Sequence, residues 1–98
     1  MIIVRDVFKL QFGKAKEGIK LLKQGQEALK QAGYPADRVL ADLTGDFYTL
    51  VLESRVESLA QYEESLATIR DIEGWQEAYG RFAPLVHSGR REIFREVG

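Results

Sequence analysis

The chain has 98 residues, of which 45% are hydrophobic and 30% charged, a composition typical of one globular domain with a single core. Its formal net charge of −1 provides no electrostatic attraction for nucleic acid or for an anionic membrane surface. The absence of cysteine excludes disulfides, thiolate metal sites and a cysteine nucleophile. We therefore expect one domain over residues 1–98, with no nucleic-acid partner and no metal site.

The chain also lacks the features of a membrane protein. No run reaches the roughly 18 apolar residues that a membrane-spanning helix requires. The first twelve residues carry Arg5, Asp6 and Lys9 inside their apolar run, which is not the pattern of a signal peptide. We expect a cytoplasmic protein without a membrane partner.

The first two predicted elements are a strand over residues 2–12 and a helix from about Lys14 to Ala32. Side chains of the strand alternate, with Asp6 the one charged residue on the otherwise apolar side. In the helix, apolar residues fill one half of a helical wheel and lysine and glutamate fill the other. Gly18, Gly25 and Ala32 recur on the buried stripe, which predicts that this helix approaches the sheet closely there.

The stretch from Arg38 to Ser54 predicts a β-hairpin, because two apolar runs flank a polar turn that contains glycine. A two-residue turn at Gly45-Asp46 would place Thr44 opposite Phe47 and would fix every pair further out. In that register one face of the hairpin is wholly apolar, and the other mixes apolar with charged side chains. Both faces should therefore be covered.

Two helices and a closing strand are predicted after the hairpin. Ser58 and Gln61 form a capping box at the start of a second helix. The apolar stripe changes phase near residues 71–74, so a third, short helix is expected to run from there to about His87. Ser88-Gly89 would then form a turn, and residues 90–97 a last strand.

The predicted order, β-α-β-β-α-(α)-β, is that of the ferredoxin-like βαββαβ fold. This α+β fold is a four-stranded antiparallel sheet with the helices on one face. The bare face would carry Leu40, Phe47 and Val51 among its charged residues. A second copy laid sheet against sheet would cover them, so a homodimer is predicted.

Two stretches, FYTLVLESRVESLAQYEESL and WQEAYGRFAPLVHSGRREIF, carry a resemblance to a known group of proteins. With them, the whole chain resembles the dimeric α/β-barrel superfamily, in particular the NIPSNAP-like and antibiotic-biosynthesis-monooxygenase-like small proteins. The resemblance implies a ferredoxin-like domain that dimerises into an α/β barrel.

His87, the only histidine, is the candidate catalytic residue. Imidazole titrates near neutrality and binds iron, so His87 is a candidate general base or haem ligand. The alternative is a cation at the C-terminus of the third helix. Haem-degrading members of the superfamily combine a late histidine with a tryptophan and an asparagine on the first strand. This chain has Trp75 and His87 but offers Asp6 and no asparagine on that strand, so no cofactor is predicted.

Two groups of side chains are candidates for ligand binding. Trp75 and Tyr79 lie at helical spacing and either stack on a flat aromatic substrate or belong to the core. The mixed face of the sheet carries polar residues that either pair across the dimer or line a cavity inside the barrel: Arg5, Lys9, Asp42, Thr49 and Glu53.

Three functions stay open. The first is a dimeric barrel that binds a small apolar or amphipathic ligand. The second is a cofactor-independent monooxygenase acting on an aromatic or polyketide-like substrate, with Trp75 and Tyr79 holding the substrate and His87 accepting a proton. The third is a subunit that only assembles with itself. Nucleotide, flavin and zinc enzymes are not expected, because their sequence motifs are absent.

Overall fold

The computed structural model describes residues 1–98 as a four-stranded sheet and three α-helices. The elements in chain order are β1 (Ile2–Leu10), α1 (Ala15–Gln31), β2 (Ala36–Ala41), β3 (Thr49–Val56), α2 (Leu59–Ile69), α3 (Glu73–Phe82), a 3₁₀ turn (Ala83–Leu85) and β4 (Val86–Arg95). The strand order is β2-β3-β1-β4, and every neighbouring pair is antiparallel. The predicted ferredoxin-like fold is confirmed. None of the helices has the length and apolar character needed to span a bilayer.

The core lies between the helices and one face of the sheet, which we call the helix face. Leu10, Leu50 and Leu52 project from this face and are buried against leucines of α1. The largest fully buried side chain is Phe82 at the end of α3, and its ring meets the ring of Phe8 edge-on at a centroid distance of 5.0 Å. We call the other side of the sheet, with Arg5, Val7, Lys9, Val51 and Glu53, the open face.

The hairpin has the predicted register but not the predicted turn. Leu40 pairs with Val51 and Ala41 with Leu50, as expected. The connection, however, runs over residues 42–48 instead of Gly45-Asp46 alone. An Asp42 carboxylate oxygen accepts a hydrogen bond from the Thr49 backbone N–H at 2.9 Å, and the Tyr48 carbonyl accepts from Leu10 of β1 at 2.8 Å. The Asp42 N–H still donates to the Thr49 carbonyl at 3.2 Å, so the Asp42 side chain replaces only the return bond of this pair, and the β2–β3 pairing ends there.

Helix α1 approaches both the sheet and α3. A methyl group added at Gly18 would meet Leu10 and Leu50 of the sheet, as predicted. At Gly25 it would instead lie 2.9 Å from the ring of Trp75 on α3. Ala32 is exposed. The predicted close approach to the sheet is thus wrong at the last two positions, because α3 covers that side of α1.

The end of α3 also differs from the prediction. The helix ends at Phe82, and Pro84 lies in the 3₁₀ turn, where its missing N–H cannot continue the α-helical hydrogen bonds. The last strand starts at Val86, so Ser88 and Gly89 are strand residues rather than a turn. The start of α2 is as predicted: Ser58 accepts from the Gln61 N–H at 3.1 Å.

Candidate ligand-binding cleft

A cleft of about 570 Å³ opens between the helix face of the sheet and helices α2 and α3. We call it the helix-side cleft. Its floor includes Asp6 and Phe8 of β1, and its walls include Tyr62 and Leu66 of α2. None of the α2 residues is fully buried, which shows that α2 packs less tightly over the sheet than α1 does. This loose packing leaves the space open.

One wall of the helix-side cleft is a pair of stacked aromatic rings. Trp75 and Tyr79 lie one helical turn apart on α3, and their rings stack at 5.0 Å with an angle of 23°. Tyr79 is 37% exposed, whereas Phe82, on the same helix, is fully buried. The aromatic residues of α3 thus fall into two groups: Phe82 belongs to the core, and Trp75 and Tyr79 face the cleft.

The cleft also contains an ion pair beneath a buried tyrosine. Arg91 of β4 donates from Nε to Asp6 Oδ1 at 2.6 Å, and its guanidinium carbon lies 5.5 Å from the centre of the Tyr62 ring. The Tyr62 hydroxyl is buried and has no hydrogen-bond partner in the chain. Burial of a polar group without a partner is unfavourable, so the Tyr62 hydroxyl carries a desolvation cost that no hydrogen bond in the chain offsets.

The electrostatics keep Tyr62 neutral. Burial raises the pKa of the Tyr62 hydroxyl, and the Asp6 carboxylate raises it further, against a smaller opposing effect of Arg91. Burial works to lower the pKa of Arg91, but the hydrogen bond and charge of Asp6 outweigh it, so the net shift is upward. Near neutral pH the cleft therefore presents an un-ionised hydroxyl beside a charged pair.

Neither Tyr62 nor Arg91 was predicted from the sequence to belong to a site. One feature of the sequence could have indicated the ion pair: Asp6 is the only charged residue on the apolar side of the first strand. A carboxylate in that position needs a cation, and the β1–β4 register sets Arg91 directly opposite it. The partner lies 85 residues away in the chain, so only the strand pairing identifies it.

The seven candidate ligand-binding residues do not form one group within the chain. Arg5, Lys9, Asp42 and Thr49 are on the open face, separated by the sheet from Trp75 and Tyr79. Lys9, Asp42 and Thr49 line a second depression, of about 530 Å³, beside the long β2–β3 connection. Arg5 does not line it.

Arg5 belongs to a row of alternating charges that crosses the open face. Glu92, Arg5, Glu53 and Arg38 occupy neighbouring positions on the four strands. Glu53 is only 3% exposed, and its carboxylate accepts from Arg5 Nε at 2.9 Å and from Arg38 Nε at 3.0 Å. Arg5 is thus paired inside one chain.

His87 lies apart from both cavities. Lys9 pairs with Ser88 but Leu10 pairs with Val86, so His87 is the extra residue of a β-bulge. Its side chain is exposed and lines neither the helix-side cleft nor the open-face depression. The interpretation of His87 as a cation at a helix C-terminus is wrong, because the helix ends five residues earlier.

We expect the His87→Ala variant to keep its free energy of unfolding within about 0.5 kcal/mol of the parent value, because an exposed side chain outside any cavity loses few contacts. It should also keep any ligand affinity or catalytic rate found for the parent. Urea unfolding and a binding titration measure the two. A tenfold loss of affinity or rate would restore a functional role for His87.

Comparison with known proteins places this geometry in a recognised fold. No protein-family model and no curated protein matches the chain. Among solved structures, it is similar to an uncharacterized NIPSNAP domain protein from Burkholderia xenovorans, with a TM-score of 0.86, 14% identity and coverage of 99% of this chain and 95% of that one. A NIPSNAP family protein from Agrobacterium tumefaciens matches with a TM-score of 0.86, 18% identity and coverage of 98% and 85%.

A third solved structure, an antibiotic biosynthesis monooxygenase, is similar with a TM-score of 0.77, 13% identity and coverage of the whole of both chains. Identities this low concern the fold and not the activity. The resemblance noted in the sequence is therefore confirmed at the level of structure: the chain has the fold shared by NIPSNAP-domain proteins and antibiotic biosynthesis monooxygenase-like proteins.

Proposed function

We propose that the chain binds a small, flat, largely apolar molecule in the helix-side cleft. The observation that carries this proposal is the stacked pair of Trp75 and Tyr79, whose rings form one wall of the cleft. The stacked rings of Trp75 and Tyr79 offer an apolar wall suited to a planar ligand. A volume of about 570 Å³ is also typical of small-molecule sites.

The experiment uses Trp75 as its own reporter. It is the only tryptophan, so its indole Nε1–H gives a single, assignable signal in a proton–nitrogen correlation spectrum. Titration with 2-naphthamide should shift this signal in a saturable way. A saturable shift confined to residues of another surface, or no binding at all, would contradict the proposal. Native mass spectrometry of the protein purified from cells would give the mass of a natural ligand.

The variant Tyr79→Leu should bind the same probe about twofold to tenfold more weakly, since a stacked aromatic contact contributes roughly 0.5–1.5 kcal/mol. Phe47→Leu is the matched control: Phe47 is an exposed aromatic residue on the β2–β3 connection, outside the cleft. The affinity of the Phe47→Leu variant for 2-naphthamide should equal that of the parent. Equal losses in both variants would show that the probe binds without using the aromatic wall.

A second candidate function, cofactor-independent monooxygenation of an aromatic or polyketide-like substrate, is favoured by the likeness to an antibiotic biosynthesis monooxygenase. In such a reaction a base removes a proton from a substrate CH2 group, the carbanion reduces and binds O2 to give a hydroperoxide, and loss of water leaves a carbonyl, so the substrate supplies all the electrons. The base would have to come from the cleft, where Asp6 is the only carboxylate, because His87 does not line it. Oxygen consumption that depends on a cleft-binding substrate would support this function, and binding without oxygen uptake would exclude it for that substrate.

The open face is proposed to bind a second copy of the chain. It carries an apolar row, Val7, Val51 and Leu40, beside the row of alternating charges. A surface with both signs of charge can complement itself across a two-fold axis, as a homodimer interface requires. Assembly without any ligand remains the third function, in which charge substitutions at Arg5 or Asp42 would alter assembly alone.

The dimer proposal predicts that Leu40→Lys shifts the protein from twice the chain mass to a single chain in sedimentation velocity at micromolar concentration. A lysine in the apolar row would bury an unpaired charge in the interface. Leu59→Lys, on exposed α2, is the control and should sediment like the parent. A parent protein that sediments as a monomer would overturn the proposal.

A further inference from the structure

The helix-side cleft has an excess of one positive charge. Its charged residues are Asp6, Arg70, Arg90 and Arg91. Asp6 and Arg91 neutralise each other through their 2.6 Å contact. Arg90 pairs with Val7 in the sheet register and so projects to the open face, where its guanidinium contacts Glu92 at 2.8 Å. This leaves Arg70 as the one cation of the cleft without a carboxylate partner.

Arg70 is held at the edge of the cleft by the local backbone. It is the C-cap residue of α2, directly after Ile69, which also lines the cleft. Its carbonyl accepts a hydrogen bond from the side-chain amide of Gln76 on α3, which ties the turn between the two helices. The Arg70 side chain is exposed, so its guanidinium meets solvent at the rim while the rest of the cleft is apolar or neutralised.

We infer that the cleft selects a singly charged anion, a flat apolar molecule with one carboxylate or similar acidic group, and that Arg70 binds that group. The inference rests on the proposed function and names the class of ligand. A guanidinium presents paired N–H donors that match the two oxygens of a carboxylate. A neutral carbonyl oxygen can accept from Arg70 but lacks the charge that strengthens the contact with a carboxylate, and a cation would be repelled by Arg70.

The test compares two probes of the same shape, 2-naphthoate and 2-naphthamide, by isothermal titration calorimetry at low salt, with the Trp75 indole signal reporting where they bind. The parent protein should bind the acid about twofold to fivefold more tightly than the amide, the upper part of the range for an ion pair at an exposed site. In Arg70→Gln this preference should disappear, chiefly through weaker binding of the acid.

Arg81→Gln is the matched control. Arg81 is an exposed arginine of α3 without a carboxylate partner, and it lies outside the cleft, so its loss changes the net charge equally. Its preference for the acid should equal that of the parent.

If neither probe binds, the proposed function fails, and the inference with it. If both bind equally to the parent, the cleft stands and the anion inference is overturned. If the preference survives in Arg70→Gln, or falls equally in Arg81→Gln, the assignment to Arg70 is overturned.

Discussion

Replacing Phe82 by alanine should lower the free energy of unfolding by about 3–5 kcal/mol, the range for removing a large buried aromatic side chain. Phe82 has no exposed surface, and its ring packs edge-on against Phe8 while α1 leucines complete the same cluster. The substitution removes a ring that joins α3 to the sheet and leaves a cavity there. Against a total stability of roughly 5–15 kcal/mol for such a domain, a large share would be lost.

Urea unfolding followed by far-ultraviolet circular dichroism measures this loss. Phe12→Ala is the control, because Phe12 is 83% exposed after the end of β1. It should change the stability by no more than about 0.5 kcal/mol. A loss below about 1 kcal/mol for Phe82→Ala would mean that α3 is not packed on the sheet as described. Complete unfolding of the variant would agree with the upper end of the range.

The parts of the fold that could be predicted are those set by local patterns. The hairpin register depends only on where the turn is centred, and Gly45 marks that centre; the pairing of Leu40 with Val51 followed correctly even though the connection is longer. Helix α1 was predictable because its charged and apolar halves are cleanly separated. The Ser58 cap is likewise a signal contained within four residues.

The parts that could not be predicted depend on contacts between distant residues. Phe82 and Val86 are four apart and continue a helical pattern, yet Val86 pairs with Leu10 and the Leu85 carbonyl accepts from the Gln11 N–H at 2.8 Å. These bonds to β1 override the local periodicity. The same applies to the helix-side cleft, because Tyr62 and Arg91 acquire their roles only when α2 and β4 meet beside β1.

Glu53→Gln should destabilise the protein by roughly 1–2 kcal/mol near neutral pH, the lower part of the range for a hydrogen-bonded buried charge. The Glu53 carboxylate is buried between Arg5 and Arg38, and glutamine keeps its size but removes its charge and turns a donor toward two other donors. The expected loss of stability lies low in that range because the two arginine side chains are 43% and 60% exposed, so water screens part of the interaction.

The effect should depend on pH with a definite sign. The hydrogen bond from Arg38 is the largest influence and lowers the pKa of Glu53 below its ordinary value of 4.5; burial opposes it, and Arg5 lowers the pKa further. A carboxyl whose pKa is lower in the folded state stabilises the fold above its unfolded pKa and loses that contribution as the pH falls through the folded pKa. The difference in stability between parent and Glu53→Gln should therefore be constant from neutral pH to about 5 and shrink below 4.5.

Urea unfolding of both proteins at several pH values between 7 and 3 tests this expectation. Glu96→Gln is the matched control, because Glu96 accepts from Arg55 at 2.9 Å but both side chains are 49% exposed. It should cost no more than about 0.5 kcal/mol at any pH, since a solvated pair contributes little. The outcome against this prediction is a difference in the free energy of unfolding that is as large at pH 3 as at pH 7. It would show that glutamine disturbs the packing of the open face and that the charge of Glu53 does not stabilise the row of alternating charges.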